Sequence, residues 1–286
     1  MAGFPMVIIA NPLYDTVFKY MMEDNRVARL LIGAIIGRKI LEIKCNPQER
    51  TIHIDKGLGQ QLTVYRLDFT AKVQTDTGEK LLLIELQKTK YPMDIIRFRR
   101  YIGDQYRSSE VSYFDPKTNQ HIPPEIVSIY LLGYRLETIT APVVQINRVI
   151  RDGATKDLID IKDVFIDSLT HECYIVQIPY LRQRRRNEVE QILSIFDQDQ
   201  QTQDHHILNV NEEDFPEEYR PIIRRLQQAS AEKKVREQMV AEDEVLEDIK
   251  HFERVIAEQA AELAEKDAIL AEKEKIIAEL MAKLNT

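Results

Sequence analysis

Cysteine is scarce in this 286-residue chain, and the motifs of several enzyme classes are missing from it. Only Cys45 and Cys173 occur, and neither belongs to a CxxC pair or lies next to a histidine. A disulfide framework and a structural zinc site are therefore not expected, and the reducing cytoplasm is the predicted compartment. The chain also has no glycine-rich phosphate loop and no GxSxG sequence, which argues against nucleotide-binding and serine-hydrolase classes that depend on them.

Long apolar runs are absent as well. No stretch approaches the eighteen apolar residues that a membrane-spanning helix needs, so no membrane association is expected. The apolar run near the N-terminus is short and lacks a basic region before it, so we do not expect a signal peptide. With 44% hydrophobic and 30% charged residues, the chain has enough apolar material for a buried core.

Net charge does not exclude a nucleic-acid partner. The formal charge of the chain is −8, but residues 231–286 hold 9 basic and 15 acidic side chains, a balance of −6. The remaining 230 residues therefore carry only −2. A region so close to neutrality can still contain a local basic groove.

Helical and β-type segments alternate along the chain. Helices are predicted at 12–37, with a break near Asn25, and at 92–109, 186–196 and 216–229. Strands are predicted at 40–54, 126–136 and 172–181, with a hairpin between them around Asp76 and Gly78. This order predicts an α/β fold, in which helices flank a mixed sheet. We assign residues 1–196 to that domain and residues 197–230 to a polar hinge and helical connector.

The C-terminal region, 231–286, contains an internal repeat. Four heptads follow one another from Ala257, and one apolar column keeps a strict seven-residue spacing: Ile256, Leu263, Leu270, Ile277 and Leu284. This spacing predicts a long helix and a coiled-coil seam through which the chain forms a homo-oligomer. The positions that would complete the seam are polar, so packing of the stripe on its own domain is the alternative.

The hairpin carries the residues with the clearest chemical potential. A turn centred between Asp76 and Thr77 places Asp68 directly opposite Glu85. Because side chains alternate between faces, Gln87 then shares their face, while residues 67, 69, 71 and 73 share the other with 82, 84 and 86. A three-residue turn would shift this register by one position and separate the acids.

Two carboxylates on neighbouring strands repel each other unless a positive charge lies between them. Mg²⁺ is a suitable charge, because it takes one or two carboxylates and keeps waters for a phosphate substrate. The alternative is an exposed sheet face on which Asp68 and Glu85 form ion pairs with Lys72 or Arg66.

Two basic segments are candidates for phosphate contact. The predicted helix 92–109 has one face with Arg97, Arg100 and Tyr101, a combination that suits a nucleic-acid backbone. An ordinary solvated face is the alternative. The run LRQRRR at 181–186 is either a second DNA contact or a loop whose arginines pair with Glu188 and Glu190.

Residues 11–110 resemble the PD-(D/E)xK nuclease superfamily, and within it the recombination-promoting nuclease (Rpn) and "PD-(D/E)XK nuclease family transposase" group. RLDF and IELQ resemble the catalytic Asp…ExQ pair, YDTVFKYMM resembles the opening helix, and RFRRY resembles the Arg-x3-Tyr of the following helix. The superfamily lysine is replaced by Gln87, as in the subgroup. Lys88 alternates to the opposite face of the strand and is a poor substitute.

This resemblance implies a restriction-endonuclease-like fold and metal-assisted hydrolysis of phosphodiester bonds. Asp68, Glu85 and the backbone carbonyl of Leu86 would hold Mg²⁺, with Mn²⁺ as a substitute, and Gln87 would position the attacking water. Asp15 would approach the metal through a water. Lys19, with Arg97, Arg100 and Tyr101, would contact the nucleic acid.

The function expected from these residues is a cytoplasmic DNA endonuclease, with a role in recombination or in defence against foreign or phage DNA implied by the resemblance alone. Two alternatives stay open at this point. One is a non-catalytic scaffold that keeps the fold and works through the coiled coil. The other is an RNase on the same core.

Overall fold

The structure is a computed structural model. It describes residues 6–46, 66–75, 78–89, 99–100, 102–103, 106–107, 112–115, 119–160 and 163–284. Within these ranges the chain forms two units, 1–236 and 237–286.

The strands described in the first unit are β1 (Met6–Ala10), β2 (Ile40–Asn46), β3 (Arg66–Thr75), β4 (Gly78–Thr89), β5 (Tyr113–Asp115), β6 (Gln120–Ile122), β7 (Glu125–Leu132), β8 (Val143–Ile146), β9 (His171–Gln177) and β10 (Ile207–Asn211). The helices are α1 (Asp15–Met22), α2 (Asn25–Ile36), α3 (Val164–Leu169), α4 (Glu188–Leu193), α5 (Arg220–Ala231) and α6 (Lys233–Leu284). The described residues between 99 and 107 are also helical.

A six-stranded mixed sheet organises the first unit, in the order β2-β3-β4-β7-β9-β8. Neighbouring strands from β2 to β4 are antiparallel, β4, β7 and β9 are parallel, and β8 is antiparallel to β9. This arrangement confirms the predicted mixed α/β class with a central sheet and helices against it.

One face of this sheet carries the apolar core. The side chains of Leu67, Phe69, Ala71 and Val73 are buried together with Leu82, Ile84 and Leu86, as the alternation predicted. Helices α1 and α2 lie against this face. Phe18 of α1 is buried, and the Tyr174 hydroxyl of β9 donates a hydrogen bond to the carbonyl of Ile36 at the end of α2. We call this the helix-covered face.

The predicted helix at 12–37 is divided in two, as expected, and the cap explains where. Asp24 accepts hydrogen bonds from the backbone amides of Arg26 and Val27, which begins α2 at Asn25. Gly37 ends α2 with φ of 65°, a left-handed conformation that glycine adopts without steric cost.

A second, two-stranded sheet pairs β1 with β10 and was not predicted. Its register joins residues about two hundred positions apart, Met6 to Asn211 and Ala10 to Ile207. The proposed connector 197–230 is therefore part of the first unit. Its β10 pairs with β1, and its α5 packs on β1, α1 and α2. The proposed boundary at residue 196 differs from the division at residue 236 for this reason.

The C-terminal helix α6 spans 52 residues and confirms the predicted long helix. Its apolar column is exposed in the single chain: Ile256 by 60%, Leu263 by 61%, Leu270 by 56% and Ile277 by 52%. No helix in the described ranges is long and apolar enough to span a membrane.

Candidate functional site

The hairpin has the register that the sequence predicted. Asp68 is paired with Glu85, Arg66 with Gln87 and Thr75 with Gly78. Directly paired residues occupy the same face of a sheet, so Asp68, Glu85 and Gln87 belong to one face. It is opposite to the helix-covered face, and we call it the acid face.

The strand pairing extends from Asp68 and Glu85 across the rest of the sheet. On one side, Asn46 of β2 is the partner of Asp68. On the other side, Glu85 is paired with Ser128 of β7, and Ser128 with Cys173 of β9. The acid pair is therefore flanked by polar residues within the sheet rather than lying at its edge.

The acid face is closed to solvent beside the acids. Gln87 and Ser128 are both 0% exposed, and Leu83 and Cys173 are also buried. Burial raises the pKa of the Cys173 thiol to about 11, so this thiol is neutral at physiological pH. The buried amide of Gln87 and the buried hydroxyl of Ser128 are thus the uncharged polar groups next to the acid pair.

Sequence reasoning missed Ser128. It is the only small polar residue in the apolar strand EIVSIYLL, which is buried at most of its positions. A lone serine in such a strand is a usable signal, but only together with the strand order. The sequence does not reveal that β7, about forty residues further along the chain, is the parallel neighbour of β4.

Asp15 forms an ion pair with a buried lysine. Its carboxylate lies 2.8 Å from Nζ of Lys88, whose side chain is only 1% exposed. The same ammonium group donates to the carbonyl of Leu13 and lies 5.6 Å from the centroid of the Phe18 ring. Lys88 follows Gln87 and therefore points to the helix-covered face. The structure thus pairs Asp15 with Lys88 on the helix-covered side of β4.

Tyr106, one of the residues described after the hairpin, makes a contact at the acid face. The Tyr106 hydroxyl lies 3.0 Å from Nδ1 of His171. His171 is paired with Ile126, which is paired with Leu83, two residues before Glu85. Burial raises the pKa of Tyr106 and lowers that of His171, so both are neutral at pH 7. This contact places Tyr106 at the face that carries the acids.

The predicted nucleic-acid contacts are only partly within the described residues. Arg100 is exposed, and so are its neighbours Arg99 and Arg107. Lys19 is half-buried on α1, one turn after Asp15. Arg97 and Tyr101 lie outside the described residues.

Arginines of the run at 181–186 form ion pairs with acids close in sequence, as expected if this run is a loop rather than a DNA contact. Arg186 forms an ion pair with the buried Glu190, with Nε 3.0 Å from Oε1. Arg185 and Arg182 pair with Asp197 and Asp199. The hydrogen bond from Arg186 holds the pKa of Glu190 below its ordinary value, although burial opposes this. Glu188 does not join the run, since it accepts a hydrogen bond from Tyr219 instead.

A polar cavity of about 360 Å³ lies where the parallel strands β4, β7 and β9 begin. Three ion pairs line it: Arg38–Glu172, Lys80–Glu125 and Arg148–Asp167. Each acid of this cavity is neutralised by a cation of the same chain. The acid face of the hairpin differs from this cavity, because two acids, Asp68 and Glu85, are directly paired there across adjacent strands.

No family model matches this chain, and no curated protein or solved structure matches it at a significant level.

Proposed function

We propose that this chain is a metal-dependent endonuclease that hydrolyses phosphodiester bonds of DNA. One observation carries the proposal, the register that sets Asp68 opposite Glu85 on the acid face with Gln87 beside them. Two like charges in adjacent strand positions are unfavourable unless a cation is bound between them. The proposed fold family is the restriction-endonuclease-like one, to which a mixed sheet with this hairpin at its centre is suited.

The donor set fits a hard divalent cation. Asp68, Glu85 and the carbonyl of Leu86 supply oxygen ligands, which Mg²⁺ and Mn²⁺ prefer. When bound, such an ion supplies a Lewis acid at the phosphate and a water of lowered pKa. Gln87 would hold that water through its amide, which has no charge to titrate and acts by orientation alone.

DNA would approach from the helical segment after the hairpin. Arg100 is exposed there, and Tyr106 contacts His171 at the acid face. We propose Arg97, Arg100, Tyr101 and Lys19 as phosphate contacts. Their charges would add salt-dependent affinity without base selectivity.

The direct test is metal-dependent nicking of supercoiled plasmid. We expect the purified chain to nick plasmid in Mg²⁺ or Mn²⁺, and EDTA to abolish this activity. Single-stranded RNA in the same buffer tests the RNase alternative. If cleavage of both substrates stays at the same background level with Mg²⁺ and with EDTA, the nuclease proposal is wrong. It would favour the scaffold, provided that the protein still self-associates.

We propose that the chain assembles through α6. The four exposed residues of its apolar column lie on one side of the helix, and a stripe of this kind is stable in water only when a partner covers it. A second copy offers a matching seven-residue repeat. Two joined chains would also bring two sites to one DNA, which a double-strand break requires.

Charges placed in the apolar column should separate the copies. We expect Leu263→Glu with Leu270→Glu to give a monomer, since each carboxylate would be buried in the seam without a partner. Ala261→Glu with Ala268→Glu is the matched control, because both alanines are exposed and lie on the opposite side of α6. Light scattering measures the mass of each variant. A monomeric wild type, or no difference between the two variants, would contradict assembly through this column.

A further inference from the structure

Ser128 has a buried hydroxyl that nothing in the apolar packing explains. The residue is 0% exposed, and its Oγ makes no hydrogen bond with any group in the described parts of the chain. A buried hydroxyl without a hydrogen bond is unfavourable, and alanine would fill the same position without that penalty. Such a group in a native protein calls for an explanation, for example a catalytic role, a bound ion or a water.

The ladder shows which groups are next to this hydroxyl. Ser128 is paired with Glu85 on one side and with Cys173 on the other, so all three occupy the acid face. Paired positions on neighbouring strands are about 4.8 Å apart, within reach of a hydroxyl and a carboxylate. The neutral Cys173 thiol is a weak partner, whereas a carboxylate is the strongest acceptor in a protein.

We propose that Ser128 is a positioning residue for the metal site, and that its hydroxyl donates a hydrogen bond to the Glu85 carboxylate when a divalent cation is bound. This inference rests on the proposed nuclease site. A metal-ligating carboxylate commonly accepts a hydrogen bond from a neighbouring side chain, which fixes the oxygen that binds the ion. Ser128 would do this from the strand beside Glu85, without touching the substrate.

A serine in this position has opposite effects in the two states. Without metal, its hydroxyl lowers stability because it is buried and no group in the described residues bonds to it. With metal, the same hydroxyl strengthens binding. The substitution Ser128→Ala should therefore stabilise the metal-free protein and weaken the metal complex, a combination that a purely structural serine does not give.

The experiment measures thermal unfolding and cation affinity together. We expect Ser128→Ala to raise the unfolding midpoint in EDTA by about 2–4 °C. We expect it to weaken Mn²⁺ binding, measured by electron paramagnetic resonance, about 10- to 100-fold. Ser194→Ala is the matched control, since Ser194 is also 0% exposed but its hydroxyl already donates to the carbonyl of Gln191. The control should leave Mn²⁺ affinity unchanged.

Two results would overturn the inference in distinguishable ways. If wild type and Ser128→Ala bind Mn²⁺ equally well, Ser128 does not position Glu85, while the nuclease proposal stands. If the wild type binds no Mn²⁺, the proposed metal site and this inference fail together. Ser128→Thr keeps the hydroxyl and should recover most of the affinity that alanine loses.

Discussion

Asp68→Asn and Glu85→Gln are each expected to lower Mg²⁺-dependent plasmid nicking about a thousandfold, equivalent to about 4 kcal/mol of transition-state stabilisation. Each substitution keeps the shape of the side chain and removes one of the two negative charges that would hold the cation. The loss should appear in the rate at saturating DNA, because the proposed phosphate contacts are elsewhere. Initial rates of supercoil loss, with the metal concentration varied, provide the measurement.

Stability separates this effect from misfolding. The two acids are directly paired, so neutralising one removes a repulsion, and both variants should unfold in EDTA at or above the wild-type temperature. Glu79→Gln is the matched control. It removes an acid from the same face of β4, where Glu79 pairs with Lys72 and is half exposed. If Asp68→Asn or Glu85→Gln keeps more than about a tenth of wild-type nicking, the acids do not hold the metal as proposed.

Asp15→Ala is expected to lower the free energy of unfolding by about 2–3 kcal/mol. Among the described residues, the substitution leaves the buried ammonium group of Lys88 with the Leu13 carbonyl and the Phe18 ring as partners. Removing one member of a buried pair costs more than the pair itself contributes, because the remaining charge is desolvated. The one-third exposure of Asp15 places the expected loss below that of a fully buried pair.

Urea unfolding measures the loss, and two further variants interpret it. Asp15→Ala combined with Lys88→Met should return to within about 1 kcal/mol of wild type, since no unpaired charge remains. Glu23→Ala removes an exposed acid just beyond α1 and should change stability by less than about 0.5 kcal/mol. If Asp15→Ala leaves stability unchanged but abolishes Mg²⁺ binding, Asp15 belongs to the metal site, as the resemblance implies.

The hairpin was predictable because its information is local. Asp76 and Gly78 mark the turn in the sequence, and a one-residue slip would move either Phe69 or Ile84 out of the core. The same alternation correctly assigned Lys88 to the face opposite Gln87. The break before Asn25 was also visible in the sequence, although the residue that causes it is the capping Asp24.

The contacts that were not predicted join distant parts of the chain. Nothing local in Met6–Ala10 indicates Ile207–Asn211 as its partner, and without that pairing residues 197–230 resemble a connector. The partner of Asp15 was missed for the same reason, since the approach of α1 to the end of β4 depends on the packing of both elements. Ser128 can be recognised as a neighbour of Glu85 only once the parallel pairing of β4 with β7 is known.

The two cysteines differ in a way that gives the molecule a natural attachment point for a reporter group. Cys173 is buried with its thiol pKa raised to about 11, whereas Cys45 is partly exposed on β2. A thiol-reactive fluorophore at neutral pH should therefore modify Cys45 first. Because Cys45 is paired with Phe69, its side chain is on the helix-covered face, and the dye would report on the side of the sheet opposite the acid pair.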